Sequence, residues 1–212
     1  MKAIILLLLL IAPIATAAIS AADEPPTWQD WPAFQMTYEE FGHTHGAAAP
    51  PTTTTWSLTW HSLGQWQREL VTSEANPQAE GETYQFDGKQ FTVDLALPGV
   101  ENIVIDHTDG VPVMPNYWLV PGRDAALARI GFHKSAGPAT DLVQYQRDVE
   151  VPCTAADPGN LPTSCETGST FIRTETIIYS TAINPPIPVL LVDEIDGQVF
   201  SSIIVLKVEA LQ

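Results

Sequence analysis

A chain of 212 residues with 25 acidic side chains against nine basic ones carries a formal charge of -16 at neutral pH. Nucleic acid and anionic membrane surfaces repel such a chain, so neither is expected as a partner. The acid is dispersed rather than run together, which argues against a disordered acidic tail.

The N-terminus has the pattern of a cleavable signal peptide. Lys2 supplies the positive start, Ile4 to Ile11 is unbroken apolar sequence, and small-x-small patterns follow at Ala15-Thr16-Ala17 and Ser20-Ala21-Ala22. The run is too short for about 30 Å of hydrocarbon, and Pro13 interrupts it. No cysteine lies near the cleavage patterns, which excludes lipid attachment there. The expectation is a signal peptide over 1–22 and a single β-rich domain over 23–212, exported to the periplasm or the extracellular space. No second stretch approaches about 20 apolar residues, so no stable membrane span is expected after cleavage.

Asp23 to Pro32 is a polar lead-in that Trp28 and Trp31 would pin to the domain. Ala33 to Phe41 reads as a strand with Phe34, Met36 and Tyr38 on one face, and Gly42 to Thr54 as an exposed loop. Trp56, Leu58 and Trp60 then alternate with Ser57, Thr59 and His61, the period of two that marks a half-buried strand. Ser62-Leu63-Gly64 turns the chain, and Gln65 to Thr72 returns with Trp66, Arg68 and Leu70 on one side. A second hairpin runs from Thr83 to Phe86, through Asp87-Gly88, into Phe91, Val93, Leu95 and Leu97. Asn102 to Ile105 is a short apolar run. Val111 to Pro121, with three prolines, reads as a packed loop. Arg123 to Ile130 is the best helix, with Gly131 as its stop.

Leu142 to Val151 reads as a strand through Val143, Tyr145, Val149 and Val151. The end of the chain is a β-meander: Thr170 to Ser180, Ile187 to Ile195, the Asp196-Gly197 turn, and Gln198 to Leu211. Cys153 and Cys165 flank a turn-rich segment. In an oxidising compartment they are expected to form a disulfide, worth roughly 3 kcal/mol in the chain-entropy picture.

No catalytic constellation is visible. His43 and His45 sit two apart, as a metal pair would on a strand, but Gly42 and Gly46 flank them in a polar loop. Asp106 to Gly110 lacks the downstream glutamate of a calcium loop. There is no G-x-S-x-G, no phosphate-binding glycine loop and no context that would activate Ser135. A non-enzymatic protein without metal or cofactor is expected. Trp56, Trp60 and Trp66 admit a second reading as a sugar-stacking platform on a carbohydrate- or surface-binding β-sandwich.

Val189 to Val192 and Ile203 to Leu206 are apolar at every position, so something apolar should cover both faces of those strands. A packed core and a hydrophobic cavity both meet that requirement. The order of the hairpins adds to this. It runs from TWSLTWHSLGQWQRELV, Thr55 to Val71, through the Tyr84 to Lys89 hairpin, to PPIPVLLVDEIDGQVFSSIIVLKVEAL at the C-terminus. This order resembles the periplasmic lipoprotein-carrier family and its envelope-stress regulator relatives. The resemblance implies a mainly β (α+β) fold: a curved antiparallel sheet, a half-barrel, with few short helices. It implies an apolar inner face that holds an acyl chain or a lipoprotein partner. It also implies an arginine that locks a lid, a role the sequence does not assign to Arg68, Arg123 or Arg129. The expected partner is therefore an apolar or amphipathic ligand or an envelope protein. The expected lining is Trp56, Leu58, Trp60, Phe91, Val93, Val205 and Leu206.

Overall fold

A computed structural model of the protein describes residues 31–42, 50–107, 113–116, 118–119, 124–153, 168–182, 186–195 and 197–211. The expected signal peptide, the His43/His45 pair and Cys165 lie outside them. The strands are β1 (Phe34–Gly42), β2 (Thr52–Ser62), β3 (Gln65–Ser73), β4 (Thr83–Phe86), β5 (Gln90–Asp94), β6 (Ile103–Asp106), β7 (His133–Ala136), β8 (Leu142–Pro152), β9 (Thr170–Ser180), β10 (Ile187–Ile195) and β11 (Gln198–Ala210). A 3-10 turn at Pro77–Ala79 and one short helix, α1 (Asp124–Arg129), complete the described elements.

All eleven strands belong to one curved, open, antiparallel sheet in the order β6-β5-β4-β3-β2-β1-β11-β10-β9-β8-β7. The expected fold class is the observed one. Every neighbour in the sheet is a neighbour in sequence except the central pair, in which the first strand joins the last. β6 and β7 are consecutive in the chain but stand at opposite edges. The segment joining them therefore has to return across the sheet. It packs against the inner face, where Pro115, Asn116, Trp118, Leu119 and Leu127 are buried.

Period-two alternation explains the first half of the sheet. Phe34, Met36 and Tyr38 are buried, and the register sets them opposite Trp60, Leu58 and Trp56 of β2. Leu58 in turn faces Arg68 of β3, and Trp60 faces Trp66. With Trp31, Trp118 and Leu119 the apolar side chains among these belong to the larger core cluster. The rings meet mostly edge to face, as with Tyr38 and Trp118 at 5.1 Å. A smaller cluster gathers Leu127, Phe132, Tyr145 and Tyr179 under α1.

Some boundaries differ from the sequence reading. Thr52 to Thr54, expected as loop, extend β2 because they pair with Gly42 to Glu40 of β1. Thr suits a pleated, half-buried surface. β5 stops at Asp94 rather than running to Leu97. The Asp94 carboxylate accepts the Ala96 N–H at 2.9 Å, and Ala96 takes φ +53°, so the chain turns there. β7 carries no apolar alternation, so nothing in the sequence marks it as a strand. Gly137 makes its hairpin possible, since a Cβ there would stand 2.2 Å from the Leu142 carbonyl oxygen.

The expectation that both faces of the C-terminal strands are covered is corrected for β11, where Ile204 and Leu206 are exposed. Val189 to Val192 of β10 are half-buried at every position.

Candidate functional site

The register of the second half of the sheet places two rungs side by side on the inner face. One runs Arg147–Glu175–Asp193–Ser201–Gly42–Thr52 across β8, β9, β10, β11, β1 and β2. The next runs Tyr145–Ile177–Leu191–Ile203–Glu40–Thr54 across the same strands. All of these residues except Tyr145 line a cavity of about 590 Å³. Its roof comes from the returning segment: Trp118, Leu127, Ile130 and Phe132. The cavity is thus floored by one polar and one largely apolar rung, and members of both core clusters enclose it. Its volume lies in the range of small-molecule sites, about 300–1,000 Å³.

The polar rung is a charge network. Glu175, only 9% exposed, accepts the Arg147 Nε–H at 2.6 Å on one oxygen and the Arg173 Nη2–H on the other. Arg147 also donates to the Ile130 carbonyl at 2.7 Å, and its guanidinium lies 4.7 Å from the Phe132 ring centre. It therefore ties the strand floor to the roof. Asp193 accepts the Ser201 hydroxyl at 3.0 Å. Burial raises the Asp193 carboxyl above its ordinary range, against the pull of Ser201 and Arg173.

A second polar group holds the returning segment from the other side. Arg68 donates to the Pro115 carbonyl at 3.3 Å and to the Asn116 side-chain oxygen. The Asn116 amide donates to the Tyr38 hydroxyl at 2.7 Å, and Trp66 Nε1 donates to the Val113 carbonyl at 2.7 Å. The Arg68 guanidinium also sits 3.8 Å above the Trp56 ring. Trp56 Nε1 donates to Glu40 at 3.0 Å. Burial raises the Glu40 carboxyl, opposed by the charge of Arg68 and by that hydrogen bond. Burial likewise pushes the Tyr84 hydroxyl up to about 12.

None of the seven residues expected to line a ligand cavity lines this one. Trp56, Leu58 and Trp60 are 7%, 0% and 0% exposed and fill the larger core, and Val93 is buried too. Phe91 and Val205 are half-buried against the same cluster. Leu206 is 54% exposed: Tyr38 faces Val205 and Thr37 faces Lys207, so Leu206 is the extra residue of a β-bulge, turned away from the inner face. Burial also overturns the sugar-stacking platform, because Trp56, Trp60 and Trp66 have no free ring faces. What sequence reasoning missed is the polar rung. Arg147, Arg173, Glu175 and Asp193 fall in the inward phase of three adjacent strands, among Tyr145, Ile177, Tyr179 and Leu191, and a charge in that phase was the available signal.

Cys153 is buried and accepts the Ser169 hydroxyl at 3.2 Å. Its expected partner lies outside the described residues. Among the described residues no group of three His, Cys, Asp or Glu side chains is placed to hold a metal. No described helix is long and apolar enough to cross a membrane.

No family model matches the chain, and no curated protein matches it. Among solved structures it is similar to an uncharacterized conserved protein of Thermus thermophilus, with 11% identity and a TM-score of 0.45 over 87% of this chain and 82% of that one. It is also similar to a LolA superfamily protein of Nitrosomonas europaea, with 11% identity and a TM-score of 0.38 over 86% and 88% of the two chains. Likenesses this loose carry no argument about what the chain binds.

Proposed function

We propose that this chain is an exported, non-enzymatic binding protein that seats the apolar chain of an amphiphile, free or carried on a lipoprotein, between the inner face of the sheet and the returning segment. The single observation that carries the reading is the cavity itself. It adjoins two well-packed clusters yet is left unfilled, with Ile177, Leu191 and Ile203 below and Trp118, Leu127 and Phe132 above. Each methylene moved from water onto those walls contributes roughly 0.8 kcal/mol, so a chain binds there without specific polar contacts. Export rests on the signal-peptide pattern over 1–22.

Displacement of a fluorescent fatty acid from the full mature chain tests this. Leu191→Trp, which fills the floor, is expected to abolish probe binding, whereas Leu206→Ser on the outer face leaves it unchanged. No probe binding at micromolar protein, or equal binding by Leu191→Trp, overturns the reading.

A further inference from the structure

We propose that the cavity selects amphiphiles whose head is an anion, a carboxylate or a phosphate, and that Arg173 is the group that receives it. The inference rests on the binding reading above and adds the chemistry of the ligand's polar end.

The two arginines at the polar end are used differently. Arg147 is held by Glu175 through Nε, by the Ile130 carbonyl through Nη1 and by the Phe132 ring. Arg173 gives Glu175 only its Nη2. Its register partners are Val149 on one side and Ile195 on the other, and neither offers an acceptor side chain. Its Nε is buried without a hydrogen-bond partner. A buried donor left open is uncommon, because such groups are costly unless satisfied. Nε itself has no accessible surface, but Arg173 lines the cavity and its side chain is 37% exposed. The planar guanidinium presents its donors as a fork, and the matching acceptor is an oxyanion.

The acidic neighbours do not cancel this. Glu175 has an arginine on each oxygen. Asp193, the next residue along the rung, holds the Ser201 hydroxyl, and Glu40 on the adjacent rung holds Trp56 Nε1. Burial biases both of those carboxyls toward their neutral forms. Arg147, Arg173 and Glu175 by themselves sum to one positive charge at this end of the cavity. The apolar rung lies two inward positions along β9 from Arg173, beyond Glu175, so a head on Arg173 directs its chain past Glu175 toward Ile177, Leu191 and Ile203.

The test compares displacement of the fluorescent probe by a long-chain fatty acid, by the fatty alcohol of the same length, by the corresponding lysophosphatidate and by inorganic phosphate alone. Wild type, Arg173→Gln, Arg173→Lys and, as a distant charge control, Lys207→Gln are measured. In wild type the acid and the lysophosphatidate are expected to displace the probe at about tenfold lower concentration than the alcohol, the order of one charge-assisted contact. Arg173→Gln should bring acid and alcohol together by weakening the acid alone, Arg173→Lys should keep part of the preference, and Lys207→Gln should keep all of it. Equal displacement by acid and alcohol in wild type overturns the inference while leaving the binding reading intact, and this comparison holds even if Arg173→Gln fails to fold. A preference that survives Arg173→Gln overturns it as well. Arg173-dependent binding of inorganic phosphate with no acid preference also overturns it, assigning the site to a free anion. If neither acid nor alcohol displaces the probe, the binding reading falls and takes the inference with it.

Discussion

Replacing Arg68 by methionine removes the contacts that hold the returning segment to β3 while keeping an unbranched side chain of similar reach. Two hydrogen bonds disappear, to the Pro115 carbonyl and to Asn116, together with the guanidinium stacked 3.8 Å above Trp56. Hydrogen bonds from a charged donor contribute about 1.5–3 kcal/mol, and a cation over an aromatic face about 0.5–2 kcal/mol. Methionine recovers part of the packing on Trp56, and Asn116 keeps its bond to Tyr38. The net loss is about 3 kcal/mol, or about 6–12 °C in Tm for a chain of this size. Arg68 also opposes the burial that raises the Glu40 carboxyl. Without it that carboxyl rises further. A carboxyl raised in the folded state favours folding at low pH and loses that contribution as pH rises through its folded value. The deficit of Arg68→Met should therefore be larger at pH 7 than at pH 5. Urea unfolding at both pH values measures the loss, and hydrogen exchange over 113–119 locates it. A loss under about 1 kcal/mol with unchanged protection of that segment would refute the assignment of Arg68 as its anchor.

Three further substitutions separate the packing terms. Tyr179 is fully buried and its hydroxyl has no hydrogen-bond partner, so Tyr179→Phe should be neutral or stabilising by up to about 1 kcal/mol; a loss above about 1 kcal/mol in urea unfolding would show that the hydroxyl is satisfied. Gly88 takes φ +91°, and a Cβ there would sit 3.1 Å from the Gly64 carbonyl oxygen. Gly88→Ala should therefore lower stability by about 1–2 kcal/mol by calorimetry, whereas an unchanged Tm would contradict the turn geometry. Glu40→Gln keeps an acceptor for Trp56 Nε1 and removes a carboxyl whose ionisation burial opposes. It should be more stable than wild type at pH 7 and equal to it near pH 4, and a gain of the same size at both pH values would exclude titration of Glu40 as the cause.

The strands are legible in the sequence where one face is covered and the other is not. Phe34, Met36 and Tyr38, or Trp56, Leu58 and Trp60, announce both the element and its inner face. Asp87-Gly88 announces the hairpin between β4 and β5. What sequence could not show depends on partners far along the chain. The pairing of β1 with β11 spans almost the whole chain and leaves no local mark. Thr52 to Thr54 resemble loop because nothing local reveals that β1 is waiting to pair with them. The Leu206 bulge is equally silent, since one extra residue in a wholly apolar run changes the facing without changing the pattern.

The same limitation explains why the expected ligand wall became core. Large aromatics at inward positions of β2 and β3 suit a lining by their chemistry, yet their size is what fills that half of the sheet. The polar group there, Arg68 with Asn116 and Tyr38, is anchored onto the returning segment and serves closure. In β8 to β10 the inward positions hold Arg147, Glu175 and Asp193 beside medium-sized aliphatic residues that leave volume unfilled. Buried charges seldom repay their desolvation by pairing alone, and well-packed apolar residues would often hold the same place as well or better. The two halves of one sheet thus use their inner faces differently. Most of the inner face of β1 to β3 becomes core, while β8 to β11, with Glu40, Gly42, Thr52 and Thr54 at the near ends of β1 and β2, keep charge and empty space together.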